Sequence, residues 1–197
     1  NGVLVYITSN SWLDVEYGTK LQEFFLRATE LKYVIDNIKR TFEQADINTV
    51  IAVLKRKKVG DINVAKRKCA NFIMLKIPFE SLTFNDAIEM TTHYCDTLAK
   101  KVNVFGGDVY LYENERIRIR SVKDIDLCVI GGAKKEEIAG VEEEEIKGIM
   151  IKNYKGSKWG GLFLRAPNIF YHILEKYNSK FVNLSDVAEV LTVSWSR

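Results

Sequence analysis

Apolar and polar positions follow two rhythms along this chain, and the changes of rhythm mark its elements. Val3–Ile7 is an unbroken apolar run, the pattern of a strand buried on both faces. Thr8–Ser11 is a polar turn, after which Trp12, Leu13, Leu21, Phe24 and Phe25 fall at roughly helical spacing. Ser11 or Asp14 serves as the cap of that helix, with Asp14 and Glu16 near its positive end. The helix is expected to end near Arg27–Thr29. Leu31–Ile38 reads as a second strand and Thr49–Leu54, rich in β-branched residues, as a third. The short connection makes these last two antiparallel neighbours. Strand, loop, helix, strand, loop, strand is the grammar of an open α/β sheet. Ligands sit outside the carboxyl ends of such strands, so the loops at Ser9–Asn10–Ser11 and Thr41–Phe42–Glu43 are the places to look.

Further along, Ala70–Phe79 is a strand candidate, and Pro78 argues against a central position for it. Phe84–Val102 reads as a helix with Ala87, Met90, Tyr94 and Leu98 on one stripe and Thr83 or Asn85 as its cap. His93 lies beside that stripe as a boundary residue. Gly106–Gly107 is a turn. Val109–Tyr112 and Arg116–Arg120 form a hairpin around Glu113–Asn114–Glu115. Alternation puts Arg116, Arg118 and Arg120 on one strand face. That face is either solvated or laid against a DNA backbone. Gly131–Glu145 is rich in Gly, Lys and Glu and reads as an exposed linker. Ala166–Tyr177 is a helix with Pro167 in its first turn, and Leu184–Val193 begins a further strand.

Two blocks carry a resemblance. In the first, Ser11, Trp12 and Leu13 are followed by Tyr17 and Gly18, then Leu21, Glu23, Phe24 and Phe25. In the second, Phe42, Ala45, Asn48, Thr49 and Ile51 run into a strand and Lys55. In this order they resemble the second half of the catalytic domain in N6-adenine DNA methyltransferases. The nearest likeness is to type II restriction–modification proteins that combine endonuclease, methyltransferase and specificity domain on one chain. A weaker likeness, K-W-x-x-x-L-R-A-P at Lys158–Pro167, is similar to the segment introducing the target-recognition domain of that family. Ala188, Glu189 and Val190 match a strand of the same domain, but Leu191–Trp195 departs from its pattern.

The resemblance implies a fold class of α/β, a partial Rossmann-like methyltransferase sheet with an inserted α+β segment and the start of a specificity domain. The corresponding divisions are 1–58, 59–130, a linker at 131–148, and 149–197. It implies a parent enzyme that uses S-adenosylmethionine and acts on double-stranded DNA. This chain has no Pro-Pro pair, and therefore no N/D-P-P-Y/F motif, and it has no first-strand cofactor loop. The glycines at 106–107 come after the second-half blocks and do not supply one. No catalytic residue and no cofactor are thus expected in the chain itself, which reads as a fragment inactive alone. Asn1 looks like a cut end, and the specificity domain like a beginning only. By the resemblance, Phe42 occupies the position that packs against an extruded base, where stacking is worth about 1–3 kcal/mol. Its plainer role is a hydrophobe covering the strand ends. Trp12 is expected in the core.

Composition changes this picture little. The chain has 197 residues, 47% hydrophobic and 28% charged, with a net charge of +3, an ordinary globular balance. Charge distribution says more. Lys55, Arg56, Lys57, Lys58, Lys66, Arg67 and Lys68 make two basic clusters. Together with Arg116, Arg118, Arg120, Lys158 and Arg165 they are the candidate phosphate contacts. A solvated loop explains the first clusters equally well. Cys69, Cys95 and Cys128 are far apart, and His93 and His172 are isolated, which argues against a structural zinc site. Reduced cysteines and a cytoplasmic location are expected. No apolar run approaches membrane-spanning length. Val3–Ile7 carries no charge or proline, and in the family its partner strand lies outside this chain. It is expected to join a second copy edge to edge, unless the segment Ala70–Arg120 folds back over it. A non-enzymatic DNA-binding or protein-interaction module that reuses this half-fold is the alternative.

Overall fold

The computed structural model describes residues 2–38, 48–56, 69–133, 153–177, 180–182 and 187–188. Phe42, Lys57, Lys58, Lys66, Arg67, Lys68, most of the expected linker and most of Leu184–Val193 lie outside the described residues.

The architecture is α/β, and it is compatible with a Rossmann-like fold. Strands β1 (Val3–Ser9), β2 (Thr29–Asn37), β3 (Thr49–Arg56), β4 (Cys69–Leu75), β5 (Lys101–Val104), β6 (Gly107–Glu113) and β7 (Ile117–Lys123) form one mixed sheet. Among the described residues the sheet has seven strands, in the order β1-β3-β2-β4-β7-β6-β5. Helix α1 (Gly18–Ala28) joins β1 to β2. Helix α2 (Phe84–Thr92) precedes β5, α3 (Asp124–Ile130) follows β7, and α4 (Asn168–Tyr177) lies near the end of the described chain.

Helix α1 ends where the pattern puts it but starts at Gly18, later than the spacing from Trp12 predicts, because Trp12 and Leu13 belong to a separate 3-10 turn. It buries Gln22, Phe25 and Leu26 on one stripe. It ends as Thr29 turns extended, its N–H and its Oγ1 both donating to the Phe25 carbonyl. The chain then returns as the antiparallel pair β2–β3, with β3 slotted between β1 and β2. This corrects the reading of Val3–Ile7 as a strand buried on both faces. β1 is an edge strand, with Val3, Leu4, Val5 and Ile7 each more than half exposed. The run is apolar, but the returning hairpin takes the inner place.

β4 is central, between β2, which it joins in parallel, and β7, to which it is antiparallel. Pro78 does not prevent this, because β4 stops at Leu75. Phe72, Ile73 and Leu75 are fully buried. The segment expected as an insertion therefore continues the same sheet, and it does not fold back over β1.

Helix α2 is shorter than expected. It starts at a capping box in which the Asp86 N–H donates to Thr83 Oγ1 and the Asp86 carboxylate accepts from the Thr83 N–H. It stops at Thr92, because the residues after it turn to reach β5 and a disulfide from Cys95 to Cys69. The Cα atoms of that pair are 6.2 Å apart, within the usual bridging range. The expectation of three reduced cysteines is thereby corrected, and Cys128 is buried outside the bridge. The β6–β7 hairpin stands as read. The turn read at Gly106–Gly107 falls one residue earlier, at Phe105–Gly106, with Gly106 at φ 94, a conformation open to glycine, and Gly107 opening β6.

The main core lies on one sheet face. It includes Trp12, Phe25, Leu54, Phe72, Leu127, Trp159, Phe163 and Tyr171. Residues on the far side of the expected linker thus share the core of the first strands. A smaller cluster, Ile73, Leu75, Ile117 and Ile119, lies on the other face, with Leu82 and Met90 packed against it. No described helix is long and apolar enough to cross a membrane.

The disulfide spans 26 residues, and closing such a loop stabilises by about 3–4 kcal/mol in the chain-entropy description. Thiol titration of the unreduced, denatured chain is expected to give one free thiol. Reduction is expected to lower the urea midpoint by that free energy. Three titratable thiols without reductant would remove the bridge.

Candidate functional site

β1 and β2 are both antiparallel to β3, and β4 is parallel to β2. β1, β2 and β4 therefore run the same way, and their carboxyl ends gather at Ser9, Asn37 and Leu75. The loop after β1 is a 3-10 turn, Asn10–Leu13, capped by the Ser9 hydroxyl, which accepts from the Ser11 N–H. The Asn10 N–H donates to the Asn48 carbonyl over 3.0 Å, tying the loop to the start of β3. Trp12 and Leu13 turn inward and are buried. Ser9 thus caps this turn, whereas α1 begins after Tyr17 with no side-chain cap; neither Ser11 nor Asp14 supplies the cap expected of it, and Asp14 is left for another role.

Asp14 is the meeting point of two distant segments. Its carboxylate accepts from the Gly161 N–H at 2.8 Å and pairs with the Arg165 guanidinium. Lys158 Nζ donates to the Asp14 backbone carbonyl. Arg165 also reaches Asp36, on β2, at 3.8 Å. Both ligands come from a π-helical turn, Gly160–Arg165, closed by bonds such as Ala166 N–H to the Gly161 carbonyl at 2.9 Å. Such turns re-aim side chains within a helix. A Cβ at 160 would press on the Asp14 carboxylate and the Arg165 guanidinium, the ends of two side chains that would have to shift. Trp12 and Trp159 meet edge to face, with centroids 6.0 Å apart. The S-W-L block and the K-W-x-x-x-L-R-A-P block, read separately in the sequence, are in contact.

Asp36 is buried at this end. Burial raises its pKa, while the Asn37 N–H, the Asn10 amide and Arg165 work in the opposite direction. On the far face an open hollow of about 270 Å³ is lined by Ile7, Ile35, Asn37, Thr49, Ile51 and Phe79. The carboxylate–guanidinium cluster and the apolar hollow thus lie at the same end of the strands but on opposite faces of the sheet. Among the described residues no group of His, Cys, Asp or Glu is placed to hold a metal.

Gln22 fastens the same assembly from beneath. Its amide donates to the carbonyls of Trp12, Leu13 and Ser157. Its oxygen accepts from the Tyr154 hydroxyl at 2.5 Å and the Ser157 N–H at 3.3 Å.

The alternating arginines do not form a solvated face. Arg116 makes two 2.8 Å bonds to the Asp86 carboxylate and one of 2.7 Å to the Ser81 carbonyl. Its pairing holds the Asp86 carboxyl far below the usual range. Arg118 and Arg120 converge on Glu113 at 3.0 and 2.9 Å, and Lys76 joins them at 2.6 Å. Arg120 has no exposed side chain. It donates to Asn168 and lies over the Tyr171 ring at 4.9 Å. Arg118 donates to the Leu164 carbonyl at 3.2 Å. These two cations bind the segment 164–171 to the sheet and are not turned toward a phosphate. Their register partners Met74 and Phe72 belong to the main core, on the same face, which is why alternation alone did not tell inside from outside.

Of the other described basic residues, Lys158 and Arg165 sit at the carboxyl-end crevice, committed to Asp14. Lys55 and Arg56 lie at the end of β3 opposite Val3, where β1 begins. The basic residues are thus divided between the two ends of the sheet. His93 is a boundary residue as read, stacked on Tyr112 with centroids 3.8 Å apart.

Glu113 yields the pH dependence. Burial opposes its ionisation, but Arg118, Lys76 and Arg120 prevail and hold its pKa at about 2, against 4.5 for a free glutamate. The folded value is depressed, so its contribution is complete above 4.5 and is lost as pH falls toward 2. Glu113→Gln is expected to destabilise the fold by about 3 kcal/mol at neutral pH, because it leaves buried cations unpaired. It should also flatten the acid limb of stability in that window. Urea unfolding between neutral and acid pH measures both, and an unchanged acid limb would remove Glu113 from this role.

No protein-family model matches this chain, and no curated protein matches it.

Proposed function

We propose that this chain is the second half of an N6-adenine DNA methyltransferase sheet together with the start of its target-recognition segment. In this reading it contributes target-base and DNA contacts to a parent that uses S-adenosylmethionine. One observation supports the reading most. The sequence blocks that resemble this family, Ser11–Leu13 and Lys158–Pro167, meet through Trp12 with Trp159 and Asp14 with Arg165, at the carboxyl ends where such sheets bind ligands. The open outer edge of β1 fits as well, since the resemblance sets a further strand beside Val3–Ile7. By the resemblance, Phe42 is the residue that stacks on the extruded base. Lys55 and Arg56, with Lys57, Lys58, Lys66, Arg67 and Lys68, contact phosphates. Arg118 and Arg120 are left out of that surface because Glu113 holds them. The exposed apolar edge favours a second reading, a protein-interaction module built on the same half-fold.

The coding sequence upstream of Asn1 separates the two readings. A glycine-rich loop and an N-P-P-Y/F motif in frame are expected, and a frame without both ends the methyltransferase reading.

DNA binding is expected to be weak and, with these phosphate contacts, to fall by about three to four orders of magnitude between about 50 and about 200 mM salt, as counterions rebind the phosphates. Arg56→Ala should lower the logarithmic salt slope by about 1, while Arg120→Met should leave it unchanged. Fluorescence anisotropy with a labelled duplex measures both, and a salt-independent affinity would sink the phosphate-contact assignment.

A further inference from the structure

We propose that the 197-residue chain forms a two-fold dimer in which β1 of one copy pairs antiparallel with β1 of the other, centred on Val5. The backbone sets the phase. The Arg56 N–H donates to the Gly2 carbonyl, and the Asn10 N–H to the Asn48 carbonyl. In an antiparallel pair, residues alternate between bonding the neighbour and pointing away. The even-numbered residues from Gly2 to Asn10 therefore bond β3, and the N–H and C=O groups of Val3, Val5 and Ile7 point to the free edge. Among the described residues no strand takes them up. The exposed run holds neither charge nor proline, the devices that keep natural edges apart.

A second copy fits this edge better than an unrelated strand, because the edge complements itself. Antiparallel pairing about Val5 sets Val3 against Ile7 on the open face. It sets Leu4 against Tyr6 on the helix face. There, an open apolar groove of about 540 Å³ lined by Leu4, Tyr6, Phe24 and Phe25 receives side chains from the other copy. Both α1 helices stay on one face of the continued sheet. The antiparallel arrangement also keeps like charges apart, because the end of each copy that carries Lys55 and Arg56 lies toward the opposite end of the other. A parallel pair would set Lys55 beside Lys55. The contact uses one patch twice and closes on itself. In the methyltransferase reading this edge carries the next strand of the parent sheet; in this chain the second copy takes that place, and the proposal stands without that reading.

Sedimentation equilibrium over a hundredfold range of concentration is expected to show monomer passing to dimer. Val5→Pro removes only an outward N–H, which an edge strand tolerates, and Val5→Lys adds an edge charge; each should shift the chain to monomer with unchanged far-UV circular dichroism. Under mild oxidation Val5→Cys should cross-link to its own counterpart. Val3→Cys should not, because the two copies of residue 3 lie about 14 Å apart by strand rise. A monomer at every concentration, open-ended assemblies, a dimer that survives Val5→Lys, or cross-linking through residue 3 as strong as through residue 5 would each overturn the proposal.

Discussion

The insertion of β3 between β1 and β2 is the constraint on which the remaining structure depends. Two strands that follow each other in sequence through α1 run in the same direction but do not touch. The antiparallel strand between them satisfies the inner backbone groups of both. One consequence is that β1 becomes an edge and keeps its apolar side chains in solvent. Another is that the second side of β2 is free for the parallel strand β4, from which the rest of the sheet is built outward. A third is that the carboxyl ends of β1, β2 and β4 open on the same side, so the loop after β1 faces the buried Asp36.

Burial of charge holds the later segments to this frame. Arg118 and Arg120 reach from β7 to the stretch 164–171, and Arg165 within that stretch reaches back to Asp14. The π-helical turn aims Arg165 at Asp14 while Trp159, Phe163 and Leu164 enter the core. Arg118 and Arg120 are held in place because their carboxylate partner Glu113 is also enclosed; removing it leaves charge that neither water nor protein solvates. The same network withdraws arginines that a linear reading assigns to a nucleic-acid surface.

The crevice and the edge are separate features with different chemistry. The crevice is polar, crossed by ion pairs and backed by an apolar hollow, and it belongs to the loops. The edge is backbone, uncharged and repetitive, and it belongs to the strand.

Short-range pattern alone determined several elements: the end of α1 near Ala28, the β2 and β3 strands and their antiparallel pairing, the β6–β7 hairpin, the Gly106 turn, the Thr83 cap and the helix after Pro167. These follow from side-chain periodicity, turn residues and caps, which act within a few residues. The loop Ser9–Asn10–Ser11 was legible as a place to look from strand order in α/β sheets, and Trp12 as a core residue from its spacing. Asp14 and Asp36 were not legible as partners, since Arg165, which joins them, comes more than a hundred residues later. The tertiary structure decided the remaining questions. An apolar run reads as buried, but only its neighbours determine whether it is: β3 and β2 occupy the inner places, so Val3–Ile7 is exposed. Alternation puts Arg116, Arg118 and Arg120 on one face, but the packing of Tyr171 and Asn168 makes an interior only around Arg118 and Arg120, while Arg116, just before β7 and part exposed, turns to Asp86 of α2. The cysteines are far apart in sequence, and Cys69 meets Cys95 because α2 ends early and the chain turns back toward β4. In each case the deciding contact joins segments whose separation along the chain leaves no local signature.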